Sequence, residues 1–242
     1  MFFWPKGPDL KRRATDLEMI DDPAQISRKE MEQVLRELAL VNRWLGGTAA
    51  CLRAIIPFLS TGLKREPVVI ADVGAGSGDI LCALATRSFN RHNNLHMLAI
   101  DVNPVVCCLA SKQTKVWPEI SVVCADVENL SFVKNRFDVV LCSAFLHHFC
   151  DHKLVQIINC LRECTTRAII INDLHRHPVA YWSIRFLCRL FSRSKAVRND
   201  GPLSVRKGFT RKELTNLLES AGCCDFCISW RWAFRWVVTI RK

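Results

Sequence analysis

The chain has 242 residues, half of them hydrophobic and about a quarter charged. That length accommodates one α/β domain with a sizeable core and some decoration, and the composition excludes an intrinsically disordered chain. No apolar run reaches the ~18 residues a bilayer-spanning helix needs. The apolar start, Met1 to Trp4, is broken by Pro5 and Lys6 and is too short for a signal-peptide core. The sequence therefore predicts a cytoplasmic protein. Thirteen cysteines sit mostly inside apolar runs, as Cys82, Cys107, Cys108, Cys124, Cys142 and Cys188 do, and read as reduced core residues. Cys224 and Cys227 spell C-x-x-C but have no second pair at zinc spacing, so no metal site is expected. The net charge of +11 is uneven: residues 175–242 hold 14 basic and only 4 acidic side chains. An anionic partner for that part follows, with phospholipid, nucleic acid and an acidic substrate all open.

In chain order, residues 1–27 read as an irregular arm. Ser27 and Glu30 fit a capping box that opens a helix with Met31, Val34, Leu35, Leu38 and Val41 on one face. Gly46-Gly47 breaks it, and a second helix spans residues 48–59. From Pro67 onward, short continuous apolar runs alternate with helical stretches. The runs are Val68–Val73, Leu95–Ile100, Ile120–Cys124, Phe137–Cys142 and Ala168–Ile171, with helices at 80–91, 104–112 and 153–164 between most of them. Continuous rather than alternating apolarity is the mark of parallel strands covered on both faces. A doubly wound parallel sheet is expected. Residues 209–221 form a further helix, stopped by Gly222. Two closely spaced strands, 225–230 and 234–240, end the chain, too near each other for a crossover, so the last is antiparallel.

Ligands of such sheets bind beyond the carboxyl ends of the strands. Gly74, Gly76 and Gly78 follow the first strand within Asp72-Val73-Gly74-Ala75-Gly76-Ser77-Gly78-Asp79, where glycine allows a tight turn and close backbone approach. That pattern alone suits a dehydrogenase equally well. Three acids sharpen it. Asp72 ends strand one, Asp101 ends strand two where it can accept from both ribose hydroxyls, and Asp126 ends strand three, placed for an adenine amino group.

Asp72–Asp79, Ala99-Ile100-Asp101, Cys124-Ala125-Asp126-Val127 and Phe137-Asp138-Val139-Val140-Leu141 resemble the successive motifs of class I S-adenosylmethionine-dependent methyltransferases over about residues 67–241. The resemblance implies an α/β Rossmann-like, seven-stranded, mostly parallel sheet with a terminal antiparallel strand, plus an N-terminal helical cap. It divides the chain into residues 1–60, arm and helical cap, and 61–242, the methyltransferase domain. S-adenosyl-L-methionine is the implied cofactor. The resemblance implies that Gly74, Gly76 and Gly78 line its methionine portion, Asp101 the ribose, and Asp126 with Val127 the adenine; Asp72, Ala75, Val102 and Ser143 are further candidate cofactor contacts. Gly-Ser-Gly-Asp and Leu146-His147-His148-Phe149 are most similar to quinone-ring and small-aromatic methyltransferases. Asn42 and Gly46-Gly47 resemble the N-terminal segment of ubiquinone/menaquinone biosynthesis methyltransferases. Asn172-Asp173-Leu174-His175 and Asp200-Gly201-Pro202-Leu203-Ser204 resemble a small bacterial branch with no named substrate.

A phenol or carbon acid benefits from a general base near neutral pKa. His147 and His148 follow strand four, and His175 and His177 follow strand five. His175 is the leading candidate, with Asp173 to orient it and His148 as a second choice. Cys142-Ser143-Ala144-Phe145 stands where amine-methylating enzymes carry an Asn/Asp-Pro-Pro-aromatic loop, and does not resemble it. Cys142 itself reads as a packing residue rather than a nucleophile.

Residues 177–208 form a basic amphipathic insertion. Val179, Trp182, Phe186, Leu187, Leu190 and Phe191 recur at helical spacing with Arg185 and Arg189 at one edge, and read as a lid over the site. Arg193, Lys195, Arg198, Arg206 and Lys207 then read as a cationic loop around Asp200-Gly201-Pro202. Trp230, Trp232 and Trp236 line either a pocket or the core. The expected activity is methyl transfer to oxygen or carbon of a hydrophobic, phenolic or quinol-like small molecule in small-molecule biosynthesis. Peripheral contact with an anionic membrane accompanies it. Nucleic acid is not expected, yet RNA or protein methylation is the rival account of the charge. A non-catalytic partner subunit is the third reading, and the oligomeric state is open.

Overall fold

The computed structural model describes residues 7–22, 26–59, 67–89, 94–132 and 134–242. Its centre is one seven-stranded sheet made of β1 (Val68–Val73), β2 (Leu95–Asp101), β3 (Ile120–Cys124), β4 (Phe137–Ser143), β5 (Thr165–Leu174), β6 (Phe226–Arg231) and β7 (Arg235–Arg241). The spatial order is β3-β2-β1-β4-β5-β7-β6. The first five strands are parallel, and β7 runs antiparallel to both β5 and β6. Strand order reverses between β1 and β4, so the crevice for a ligand opens where Val73 pairs with Cys142.

The period-two geometry of β1 explains the layers. Val68 and Ile70 face one core, with Cys51 and Ile55 of α2 (Gly47–Ile55) and Leu81 and Leu84 of α3 (Asp79–Phe89). Ala71 and Val73 face the other, with Leu154 and Leu161 of α5 (Asp151–Cys164) and Leu214 and Leu218 of α8 (Arg211–Ser220). Each fully buried leucine here contributes about 1.5–3 kcal/mol. α4 (Pro104–Thr114) flanks β2 and β3, and Asn103 caps it by accepting from Val105 N and Val106 N. The expected capping box is present on α1 (Arg28–Trp44): Ser27 Oγ accepts from Glu30 N at 3.3 Å, and Glu30 Oε2 accepts from Ser27 N at 3.0 Å. A second box, Thr210 with Glu213, opens α8.

The division drawn at residue 60 lies in residues 60–66, outside the described residues, as do Met1–Lys6 and the end of the helix expected over 80–91. α2, on the N-terminal side of that division, already packs into the sheet's core. β5 is longer than its apolar run, because Thr165 and Leu174 continue the ladder to Phe137 and Arg235 beyond the apolar stretch. The chain between β3 and β4 holds a 3-10 helix, Val127–Phe132.

The insertion is where expectation and structure part. Its first half is helix α6 (Pro178–Phe191), but its second half is not a cationic loop; it is α7 (Lys195–Lys207), capped by Ser194 and containing Pro202. Gly201 serves close approach rather than a turn, since a Cβ there would lie 2.9 Å from Cys188 Sγ of α6. Asp200 turns its carboxylate to the arm, accepting from Met19 N and Ile20 N. Lys207 is buried against Glu18 instead of lying in solvent. None of the described helices is long and apolar enough to cross a membrane.

Candidate active site

The glycine loop turns where β1 ends. Gly74, Gly76 and Gly78 all take left-handed φ values, 71°, 54° and 74°. Gly74 is indispensable in a second way: a Cβ there would come within 2.2 Å of the Phe145 ring. Phe145 is aimed across the loop by Ala144, a non-glycine residue at φ 50°, a conformation that costs an L-residue roughly 1–2 kcal/mol. The loop is tied to β2 by Gly74 N and Ala75 N, which both donate to Ile100 O. Gly76 N donates to Asp101 Oδ2 at 3.1 Å, and Asn103 N donates to Asp101 Oδ1 at 3.0 Å. The Asp101 carboxylate is thus held by backbone amides at the end of β2.

Asp72 is buried and its Oδ1 has no hydrogen-bond partner. Burial, with Asp79 and Asp101 nearby, pushes its pKa well above the usual carboxylate range. Burial likewise raises Asp79 and Asp101. Facing this acidic group is Arg235, the first residue of β7, only 3% exposed. Its Nη2 donates to Asn42 Oδ1 at 2.9 Å, while Nε and Nη1 are buried without partners. Burial lowers its pKa. The N-terminus of α2 meets it, since a Cβ on Gly47 would lie 2.9 Å from the guanidinium carbon. A desolvated cation and desolvated carboxylates, each with unused hydrogen-bonding atoms, fit a ligand that carries both charges.

The other expected residues fall around this centre. Ser143 is buried and accepts from Asn172 Nδ2 at 2.9 Å, with Cys51 Sγ 3.6 Å away. Asp126 Oδ1 accepts from Glu128 N, opening the 3-10 helix that buries Val127. Val102 is exposed beside Asp101. An open cleft of about 270 Å³ runs between α1 and α4, lined by Leu35, Ser77 and Leu109 among others.

The catalytic pairing expected from sequence is not the one present. Asp173 does not orient His175; it accepts from His147, at 2.8 Å from Nδ1 and 3.2 Å from the backbone N. His175 lies over β7 instead, its Nδ1 accepting from Trp230 Nε1 at 3.3 Å. Its ring is 4.8 Å from that of Trp236, and burial lowers its pKa. The reason is geometric: the 3-10 turn Leu146–His148 places His147 across the end of β5, over Asp173. His148 pairs with Asp21 at 2.9 Å. Asp21 and Glu18 belong to the arm ahead of α1. Glu18 is 3% exposed, with Oε1 3.7 Å from His147 Nε2 and 3.3 Å from Lys207 Nζ. Glu18, His147 and His148 bring ligand-type atoms within 4.8 Å of one another, metal-binding chemistry by residue type. The Lys207 ammonium already supplies positive charge there. Arg13 fastens the arm by donating to the carbonyls of His147, Phe149 and Lys207.

Residues 70–167 match a family model described as a methyltransferase domain. The ubiquinone/menaquinone biosynthesis C-methyltransferase of Rickettsia prowazekii is 35% identical over 72 residues, 28% of this chain and 29% of that protein. Its Rickettsia typhi counterpart is 33% identical over the same length. The match thus spans less than a third of these curated relatives. Among solved structures, a plantazolicin methyltransferase in complex with SAH superposes with a TM-score of 0.65 at 16% identity, covering 93% of this chain and 92% of that one. A SAM-dependent methyltransferase from Aquifex aeolicus gives 0.62 at 16%, covering 87% and 97%. Both likenesses establish the fold.

Proposed function

We propose, for a chain with the fold of the class I S-adenosylmethionine-dependent methyltransferases and a methyltransferase domain over residues 70–167, that it moves a methyl group from S-adenosylmethionine to a hydrophobic small molecule. The acceptor atom is oxygen or carbon of a phenolic or quinol-like ring. One observation carries the reading: unpartnered Asp72 and Arg235 atoms flank a glycine loop whose neighbour Asp101 is held by backbone amides.

When bound, the cofactor supplies an activated sulfonium methyl, and the protein's task is alignment and proton removal. Arg235 would hold the carboxylate of its amino-acid end, and Asp72 with Asp79 would meet the ammonium. Asp101 would take the ribose hydroxyls; Asp126 and Val127 would bound the adenine. His147 replaces His175 as the proton acceptor, because Asp173 fixes its Nδ1 as a donor and leaves Nε2 as the basic nitrogen. Glu18 stands on the Nε2 side, so the arm governs access to that base. A quinone-ring acceptor agrees with the name of the Rickettsia relatives.

Calorimetric titration with S-adenosylhomocysteine is expected to show binding that Asp101→Ala and Arg235→Met each weaken about tenfold or more, roughly the 1.5–3 kcal/mol of a charge-assisted hydrogen bond. Arg235→Met is expected to leave affinity for 5′-methylthioadenosine, which lacks the amino-acid end, unchanged. Equal affinity of wild type and both variants for S-adenosylhomocysteine would refute the site. Radiolabelled methyl donor added to cell extract tests the acceptor: label in the organic phase supports it, and label only in RNA or protein overturns it. Cofactor binding without any labelled product favours a non-catalytic partner subunit.

A further inference from the structure

The outer face of α6 carries apolar side chains that the other described residues leave exposed. Val179, Trp182, Phe186 and Leu190 follow one another at three- and four-residue spacing and are 53, 39, 66 and 61% exposed, with Phe191 beside them at 72%. A stripe of this spacing ordinarily faces a core. Here the core-facing side is a different one: Ala180 and Tyr181 pack with Val205 of α7, and Cys188 packs with Ala196 and Val197. α6 therefore stands outside α7, with part of its apolar face turned outward.

The charges carried by this segment are of one sign, with Glu37 of α1 set against Ser192 and Arg193 at its end. Arg185 and Arg189 on α6, and Arg193, Lys195 and Arg198 after it, are all exposed, and no Asp or Glu occurs from 175 to 199. The Arg185 guanidinium lies 5.2 Å from the Trp182 ring centroid, a cation set beside an aromatic. At the N-terminal end of α6 the β6–β7 hairpin contributes exposed Trp230, Arg231 and Trp232. Trp230 meets Phe234 edge to face, and Phe234 stacks on His177, the residue that caps α6. Single exposed apolar residues are ordinary, whereas a stripe flanked by five cations and extended by two tryptophans is not.

We propose that this face docks on an anionic lipid bilayer, with α6 lying in the plane of the interface. Charge decides the occupant. A second copy of the chain would bring its own five cations against these, whereas phospholipid headgroups neutralise them while the acyl boundary takes Phe186, Leu190 and Phe191. RNA would answer the arginines but leave those side chains in water. Because only three residues separate the end of β5 from the start of α6, docking holds the crevice at the lipid surface, where a hydrophobic acceptor is dissolved. The docking itself does not depend on methyl transfer.

Flotation of the full chain with phosphatidylcholine vesicles, with and without phosphatidylglycerol, tests it. Wild type is expected to float with the anionic vesicles only, and added salt to weaken the association. Arg185→Glu with Arg189→Glu is expected to lower partitioning about tenfold or more, and Phe186→Ser with Leu190→Ser comparably. All four side chains are exposed, so thermal melts of the variants should match wild type. Absence of flotation, or flotation indifferent to both variants, overturns the proposal. So does light scattering that shows a wild-type dimer dissociated by Phe186→Ser, or displacement of wild type from vesicles by RNA homopolymer with no effect of the apolar variant. Unchanged S-adenosylhomocysteine affinity in these variants separates failure here from failure of the cofactor site.

Discussion

Asp173 accepts from the His147 ring, from the His147 backbone and from Leu174 N, and is 1% exposed. Burial alone would raise its pKa, but His147 and these donors outweigh it and hold the carboxyl below its ordinary value. Its contribution to stability is therefore present above the unfolded carboxylate pKa and is lost as pH falls through the depressed folded value. Asp173→Ala strands a buried imidazole nitrogen and two amides, and is expected to cost about 2–4 kcal/mol in urea unfolding at neutral pH. Asp173→Asn keeps an acceptor and should cost less; the reverse order would mean the carboxylate does not hold His147. The candidate cofactor residues Asp72, Asp101 and Asp126 stand out in the sequence because each falls at the end of an apolar run. The partner of Asp173 does not, since it depends on where a turn 26 residues away crosses the end of β5. Arg235 left a fainter signal, a lone cation heading an apolar strand. Only the β5–β7 pairing shows that it stands at the crevice.

The arm behaves as an element although it has little regular structure. Its anchors are Asp200 on two backbone amides, Asp21 on His148, and Glu18 on Lys207 and Ser204. Burial disfavours the His148 cation, but Asp21 and Glu18 prevail and raise its pKa. Burial likewise opposes ionisation of Asp21, yet His148 and Lys207 bring its pKa down. A raised imidazole stabilises below its unfolded pKa of about 6.5 and is lost as pH rises through the folded value. A depressed carboxylate stabilises above about 3.9 and is lost as pH falls through its own folded value. The arm should thus be tightest in mildly acidic solution. Hydrogen exchange at Met19 and Ile20, corrected for intrinsic rates, is expected to show protection that declines as pH rises past the His148 transition, and Asp200→Ala to abolish it. Flat protection across that range would remove His148 from the clamp. None of this was legible, because acids spaced through an irregular segment look like solvated charge. α7 was misjudged for a related reason. Gly201-Pro202 reads as a turn, and only packing against Cys188 shows why glycine is there.

At the scale of the whole molecule, the alternation of apolar runs and helices was enough to establish the doubly wound sheet, because parallel strands buried on both faces cannot hide their composition. None of the thirteen cysteines is joined in a disulfide, but Cys108 and Cys124, whose apolar runs read as core, lie at the surface. Five of the thirteen, Cys108, Cys124, Cys150, Cys224 and Cys227, are exposed. Burial pushes the Cys51 thiol up to about 12 and Cys164 up to about 11. Iodoacetamide on the native protein is expected to label those five first and to leave Cys51, Cys142 and Cys164 unmodified until unfolding. Early labelling of Cys142 would contradict the packing of β4. The antiparallel strand has a consequence for biosynthesis. β7 is wedged between β5 and β6, and it delivers Arg235 to a centre otherwise built from residues 42–173. On the ribosome, β5 must wait with a bare hydrogen-bonding edge while some sixty further residues emerge, as exposed there as any sticky sheet edge. The nascent chain can shape most of the crevice, but Arg235, the cation that would meet the carboxylate of a zwitterionic ligand, arrives only when the sheet closes, which would make such a ligand a reporter of finished molecules.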